Sequence, residues 1–145
     1  MILIAPDKYK GTLTAHEAAR SIAEGVPYPA IIAPMADGGE GTASILCDGQ
    51  PGWECREDYY YNPESSTAVI DSSAVIGLQQ VDHDTHDILT ATSAPLGRRV
   101  YQLIVDEGIE KVIIGIGGTA TCDGGIGFYR EVKEIPRIAE RLLGL

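Results

Sequence analysis

The chain has 145 residues, 44% of them hydrophobic, and a net charge of −10; this length suits one ordinary globular domain with a sizeable core. The acidic balance, with no basic stripe to offset it, excludes nucleic acid as an expected partner. No apolar run reaches the roughly 18 residues of a membrane span. Residues 2–5 (Ile-Leu-Ile-Ala) predict a first strand, entered without the basic and long apolar regions of a signal peptide. A polar loop follows at 6–12, containing Asp7, Lys8 and Lys10. Thr14 and Glu17 have capping-box spacing, and Ala15, Ala18, Ala19, Ile22, Ala23 and Val26 define one apolar helical face. Pro27 and Pro29 stop that helix.

The pattern then repeats. Residues 30–33 predict a second strand, 35–42 a loop (Met-Ala-Asp-Gly-Gly-Glu-Gly-Thr), and 43–46 the start of a short helix ended by Gly49 and Pro51. Residues 52–66 read as irregular or edge structure, with Tyr59, Tyr60 and Tyr61 taken as aromatic cover over the core. A third strand is expected at 67–70 with Asp71 at its end, then a helical turn or two at 72–78. Leu96, Val100, Leu103 and Ile104 mark an amphipathic helix for which Gly108 is a plausible stop. The β-branched run at 111–116 predicts a fourth strand, and Ile135, Ile138, Ala139, Leu142 and Leu143 a C-terminal helix. Alternating strands and helices imply an α/β fold: a mostly parallel sheet with helices on both faces. Its polar loops at 6–12, 36–42, 71–73 and 117–125 all follow strands and should meet at one carboxyl edge, where ligands of such sheets bind.

The most informative segment is 115–127, Gly-Ile-Gly-Gly-Thr-Ala-Thr-Cys-Asp-Gly-Gly-Ile-Gly. Glycine lets backbone approach a ligand and adopt positive φ, and amides gathered there attract phosphate or carboxylate. Lys8 and Lys10 would supply cations, with Asp7 orienting a lysine or a metal. Asp37, flanked by Gly38 and Gly39, could bind Mg²⁺ or accept hydroxyl hydrogen bonds, while Glu40 favours the following helix dipole. Residues 83–87 (His-Asp-Thr-His-Asp) suggest a metal site, but a polar loop is the better reading. His16 is taken as solvated, and Arg98 and Arg99 as an exposed helical face with some reach toward a phosphate. The glycine loop is not a Walker A motif, since no lysine follows it. It does match G-x-G-x-x-A, yet no strand with a terminal acid is expected after it, which weakens a dinucleotide-binding module. Cys47, Cys55 and Cys122 form no CxxC pair and read as free thiols in a reducing cytoplasm.

Three segments together resemble the glycerate kinase type-1 family. Residues 4–14 (Ile-Ala-Pro-Asp-Lys-Tyr-Lys-Gly-Thr-Leu-Thr) are similar to its IAPDxxKGSL signature. Residues 34–42 are similar to its second loop, and 114–125 to IGIGGSATNDGG, with Thr119 for serine and Cys122 for asparagine. The resemblance covers about residues 1–128, leaving 129–145 as a helical tail. It implies one domain of a normally two-domain kinase that uses ATP and Mg²⁺ to phosphorylate D-glycerate. Carried over, Lys8, Lys10, Asp37 and Asp123 are the catalytic candidates, with Asp37 or Asp123 on the metal. Asp7, Gly38, Gly39, Gly117, Gly118 and Thr119 are the substrate and phosphate contacts. Later family segments, including a GEGRLD-type motif, are missing, so the chain is expected to need a second domain or self-association. The alternatives are a non-catalytic remnant that binds glycerate or phosphate and, less favoured, the dinucleotide module.

Overall fold

A computed structural model describes residues 1–80, 87 and 89–144, with Gln79 by its backbone alone. Contacts divide the chain into two compact units, Met1–Asp37 and Gly38–Leu145.

The smaller unit is one β-α-β turn. Strand β1 (Ile2–Ile4) pairs in parallel with β2 (Ala30–Ile32), joined through helix α1 (Ala15–Gly25). The helix starts where the capping box predicts: Glu17 donates its amide to Thr14 Oγ1 at 3.2 Å, and Thr14 donates its amide to Glu17 Oε2 at 2.8 Å. Ala15, Ala18 and Ala19 are its buried residues. The two-stranded sheet is unusual for parallel pairing, which normally occurs with both faces covered. Here Ile2, Leu3, Ile31 and Ile32 all remain exposed.

The larger unit holds helices α2 (Thr42–Cys47), α3 (Ser72–Ile76), α4 (Ala94–Tyr101), α5 (Ile126–Val132) and α6 (Ile138–Arg141). Its five strands are β3 (Glu54–Cys55), β4 (Tyr59–Asn62), β5 (Thr67–Asp71), β6 (Lys111–Gly115) and β7 (Leu142–Gly144), ordered β3-β4-β5-β6-β7. The β5-β6 and β6-β7 pairs are parallel, but β3-β4 and β4-β5 are antiparallel. This sheet is therefore mixed, and the mostly parallel pairing expected holds in part, for β1-β2, β5-β6 and β6-β7. The cause is the tyrosine run: Tyr59–Tyr61 is an inner strand, not cover. Two further corrections concern the C-terminus: the expected helix shrinks to α6, and Leu142 and Leu143 belong to a strand on β6.

Register explains the layering. Tyr59, Ile70 and Ile114 align across the sheet, as do Tyr61, Ala68, Val112 and Leu142. Side chains alternate between faces, and this set packs with Ile76, Leu96, Val100, Leu103 and Val132 from α3, α4, α5 and the segment after α4. On the opposite face Val69, Tyr60 and Ile113 pack with Ala43 and Cys47 of α2. Helices thus cover both faces of this sheet.

The expected helix through Gly108 is α-helical only as far as Tyr101; Gln102–Asp106 is a π-helical turn in which Glu107 donates its amide to Gln102 O at 3.0 Å. The wider turn lets Leu103 and Ile104, consecutive in sequence, both enter the core. Gly108 has φ 75° and ends the segment as expected.

Gly97 is where α4 meets α5: a Cβ there would lie 2.8 Å from Phe128 O and from Glu131 Cβ. Gly→Ala inside an exposed helix stabilises by about 1 kcal/mol. Here the sign inverts, and Gly97→Ala is expected to destabilise by about 1–3 kcal/mol in urea unfolding, because the helices must separate.

Candidate functional site

In the smaller unit, the first loop and the start of the second converge. Lys8 donates from Nζ to Asp37 Oδ1 at 2.8 Å and lies 3.7 Å from Asp7 Oδ1. The hydrogen bond to Asp37 raises the Lys8 pKa above its ordinary value, against a smaller opposing effect of burial, so the ammonium stays charged. Its side chain is 19% exposed and that of Asp37 60%. Lys10 sits on the exposed turn closed by the Tyr9 amide on Leu13 O at 2.8 Å.

In the larger unit, loops 38–42, 71–73 and 115–120 interlock. Helix α2 begins at Gly41, in the left-handed region with φ 90° and without a side chain to cap its amides. The cap comes from Asp71, buried at the end of β5. Its Oδ2 accepts from the Gly41 amide at 2.8 Å and its Oδ1 from the Ala43 amide at 2.9 Å. Asp71 lies opposite Gly115 in the β5-β6 register. A Cβ on Gly115 would come within 2.9 Å of Asp71 Oδ1 and 2.8 Å of Gly38 O. The Gly117 amide donates to Gly38 O at 2.8 Å, a Cβ there would meet Gly39 Cα at 2.8 Å, and Ser72 donates to Gly117 O at 3.2 Å. These glycines are required by backbone packed on backbone. Thr42 Oγ1 and Ser73 Oγ are buried with no hydrogen-bond partner among the described residues.

Asp123 repeats the device. Its Oδ2 accepts from Thr92 Oγ1, Ser93 Oγ and the Ser93 and Gly127 amides, and its Oδ1 from the Gly125 amide, at 2.9–3.1 Å. It thereby ties the start of α4 to the start of α5, whose N-cap Gly125 also has no side chain to offer. The Ser93 amide bond is the largest cause of a strongly lowered pKa. Four of the five donors crowd Oδ2, while Oδ1 accepts only the Gly125 amide and keeps one lone-pair direction. Among the described residues no group of three or more His, Cys, Asp and Glu could hold a metal.

Other nominated residues have structural partners or fall elsewhere. Arg99 grips both oxygens of Asp58 at 2.7 Å and Glu107 at 2.9 Å, and stacks over Tyr59. Arg98 pairs with Glu131 at 3.1 Å. His83 and His86 lie outside the described residues, and His16 is exposed. Burial raises the Cys47 thiol to about 11, while Cys55 and Cys122 are exposed free thiols. Sequence reasoning assigned no role to Asp71. The signal was present: an acid closing an otherwise apolar strand, and a glycine-started helix with no capping residue.

A cleft of about 440 Å³ opens beside the carboxyl ends of β6 and β7, bordered by Thr119, Thr121, Asp123 and Phe128. Glycine loops locked together at the strand ends, with a cleft beside them, define an α/β protein built to hold a small ligand. The chain belongs to the Glycerate kinase family, whose sequence profile matches residues 2–133. It is 34% identical over 148 aligned positions to the glycerate kinase of Halalkalibacterium halodurans and 36% over 147 to the glycerate 2-kinase of Escherichia coli. These alignments cover 90% and 89% of this chain but 39% and 38% of those proteins. The crystal structure of a putative glycerate kinase 2 from Salmonella typhimurium LT2 matches with a TM-score of 0.63 at 34% identity, over 90% of this chain and 40% of that one. The chain thus spans about two-fifths of the length of the relatives it matches. No helix among the described residues is long and apolar enough to cross a membrane.

Asp71→Asn keeps the shape but turns one acceptor into a donor, leaving the Gly41 or Ala43 amide unpaired. Urea unfolding should show a loss of about 1–3 kcal/mol. For Asp123, a folded pKa below the ordinary 3.8 means its contribution is complete above about pH 4 and is lost as pH falls toward the folded value. Thermal melts should give Asp123→Asn a lower Tm at pH 7 and a shallower loss of stability below pH 4 than the parent chain.

Proposed function

We propose that this chain carries part of the site of an ATP-dependent kinase that phosphorylates D-glycerate, in the cytoplasm, where three free cysteines are at home. The observation that supports the reading most is the Lys8–Asp37 pair, a cation held charged at the junction of two family-signature loops. Phosphoryl transfer depends chiefly on positioning and on neutralising charge. Lys8 and the exposed Lys10 would bind anionic oxygens of glycerate and of the transferred group. Asp37 would accept the glycerate hydroxyl proton as that oxygen attacks the terminal phosphorus and ADP leaves. Asp7, 3.7 Å from Lys8, would hold the ammonium in place. Gly118 and Thr119 would border the nucleotide, whereas Gly38, Gly39 and Gly117 act by letting the loops close. Mg²⁺ would supply charge neutralisation on the nucleotide phosphates, and Asp37 is the nominated carboxylate with the exposure to meet it. Asp123 positions the starts of α4 and α5.

A second reading is a chain that binds D-glycerate or phosphate without turnover. The exposed apolar side chains of the β1-β2 sheet support a need for further protein, from another domain or a second copy, to cover them.

Coupled measurement of D-glycerate-dependent ADP release separates the two readings. The kinase reading expects turnover that falls on the order of 10²-fold or more in Lys8→Ala and in Asp37→Ala. A silent chain that D-glycerate nevertheless stabilises against heat is the result expected of a remnant.

A further inference from the structure

The β1-β2 sheet is covered on one face only. Side chains alternate across a strand, so Ile2, Ile4, Ala30 and Ile32 point to one side, and Leu3 and Ile31, partners in the register, to the other. Helix α1 contacts both strands, and Ile4, buried on the first side, marks the face on which it lies. On the second side Leu3 and Ile31 are exposed, and Met1, Ala5 and Pro29 continue that row and are exposed too. Parallel strands bare on one face are rare, because such strands are ordinarily buried on both.

Charge selects what can cover this face. Residues 1–5 and 27–35 contain no charged side chain. Residues 1–37 carry four acids against three bases, −1 in all, so −9 of the chain's −10 lies on Gly38–Leu145. A basic partner is drawn to that acidic remainder. Two copies of this chain repel through it, and the Leu3–Ile31 face is where they can touch without opposing like charges. A two-fold axis makes the face its own complement, since both partners present the same apolar row. The exposed parts of Met1, Leu3, Ala5, Pro29 and Ile31 come to roughly 500 Å² per copy, so a symmetric pair buries about 1,000 Å², the lower bound for a specific interface.

We infer that two copies of this chain pack the Leu3–Ile31 face of the β1-β2 sheet on itself around a two-fold axis, sheet on sheet, with α1 on the outside of each. This names the second copy as the cover that the exposed strands call for, and it holds whether or not the chain turns over D-glycerate.

Sedimentation equilibrium of the full chain from about 1 to 200 µM reads the association. A monomer–dimer equilibrium with Kd on the order of 10 µM is expected for so small an interface. It should tighten as salt rises, because screening removes repulsion between two copies at −10. Leu3→Lys and Leu3→Asp each set like charges against each other and should weaken dimerisation by about tenfold or more, whereas an equimolar mixture of the two regains it. Mixing does not repair a lost fold. Ile22→Lys, an exposed position on α1, leaves association unchanged. Should the Leu3 variants fail to fold, Ile31→Lys and Ile31→Asp take their place. A parent chain that stays monomeric to the top of that range, a dimer that weakens with salt, a dimer untouched by charge on this face, or a mixture that stays monomeric overturns the inference. ADP release tests the kinase reading separately: dimers without turnover uphold the interface and fail the kinase, and turnover by a monomer does the reverse.

Discussion

The larger unit is organised around the buried carboxylate of Asp71. A carboxylate taken out of water is costly unless its oxygens are fully engaged, and here each oxygen accepts a backbone amide from the start of α2. Those amides would otherwise be orphans, because Gly41 cannot cap its own helix. The contact joins two groups that each need the other across thirty residues of sequence. It draws loop 38–42 against the ends of β5 and β6, where Gly115 and Gly117 permit backbone to lie on backbone.

Asp123 solves the same problem for α4 and α5 with one carboxylate, so three helix starts, with that of α2, carry internal anions. This changes what the glycine-rich loops do. A run such as Gly-Ile-Gly-Gly after a strand suggests amides waiting for phosphate, but the Gly117 amide is spent on Gly38 O and the helix starts are spent on aspartates. Positive charge resides instead with Lys8, held ionised by Asp37, and with Lys10.

The smaller unit leaves apolar strand faces open to solvent. Its parallel strands carry apolar side chains on both faces, as strands buried in a larger sheet do, yet Leu3 is 65% exposed and Ile31 48%. Alanines on α1 bury little area. In the relatives, more than half of the polypeptide lies outside the matched region.

Local interactions were legible in the sequence. The Thr14–Glu17 box, the strands at 67–71 and 111–115, and the stop at Gly108 depend on neighbours within a few residues, or on apolar periodicity, and all stand close to where the residues predict. The family resemblance was legible too, because its loop signatures are contiguous. What tertiary structure decided were relations between distant segments. The tyrosine run became an inner strand because β3 and β5 flank it, and Leu142–Gly144 became a strand because β6 offered an edge. Arg99 turned to Asp58, and Asp71 and Asp123 turned to amides 28 to 30 residues away or within their own loop. A side chain's hydrogen-bonding capacity is written in its residue type; the partner that satisfies it is chosen only when folding brings two remote backbones within about 3 Å.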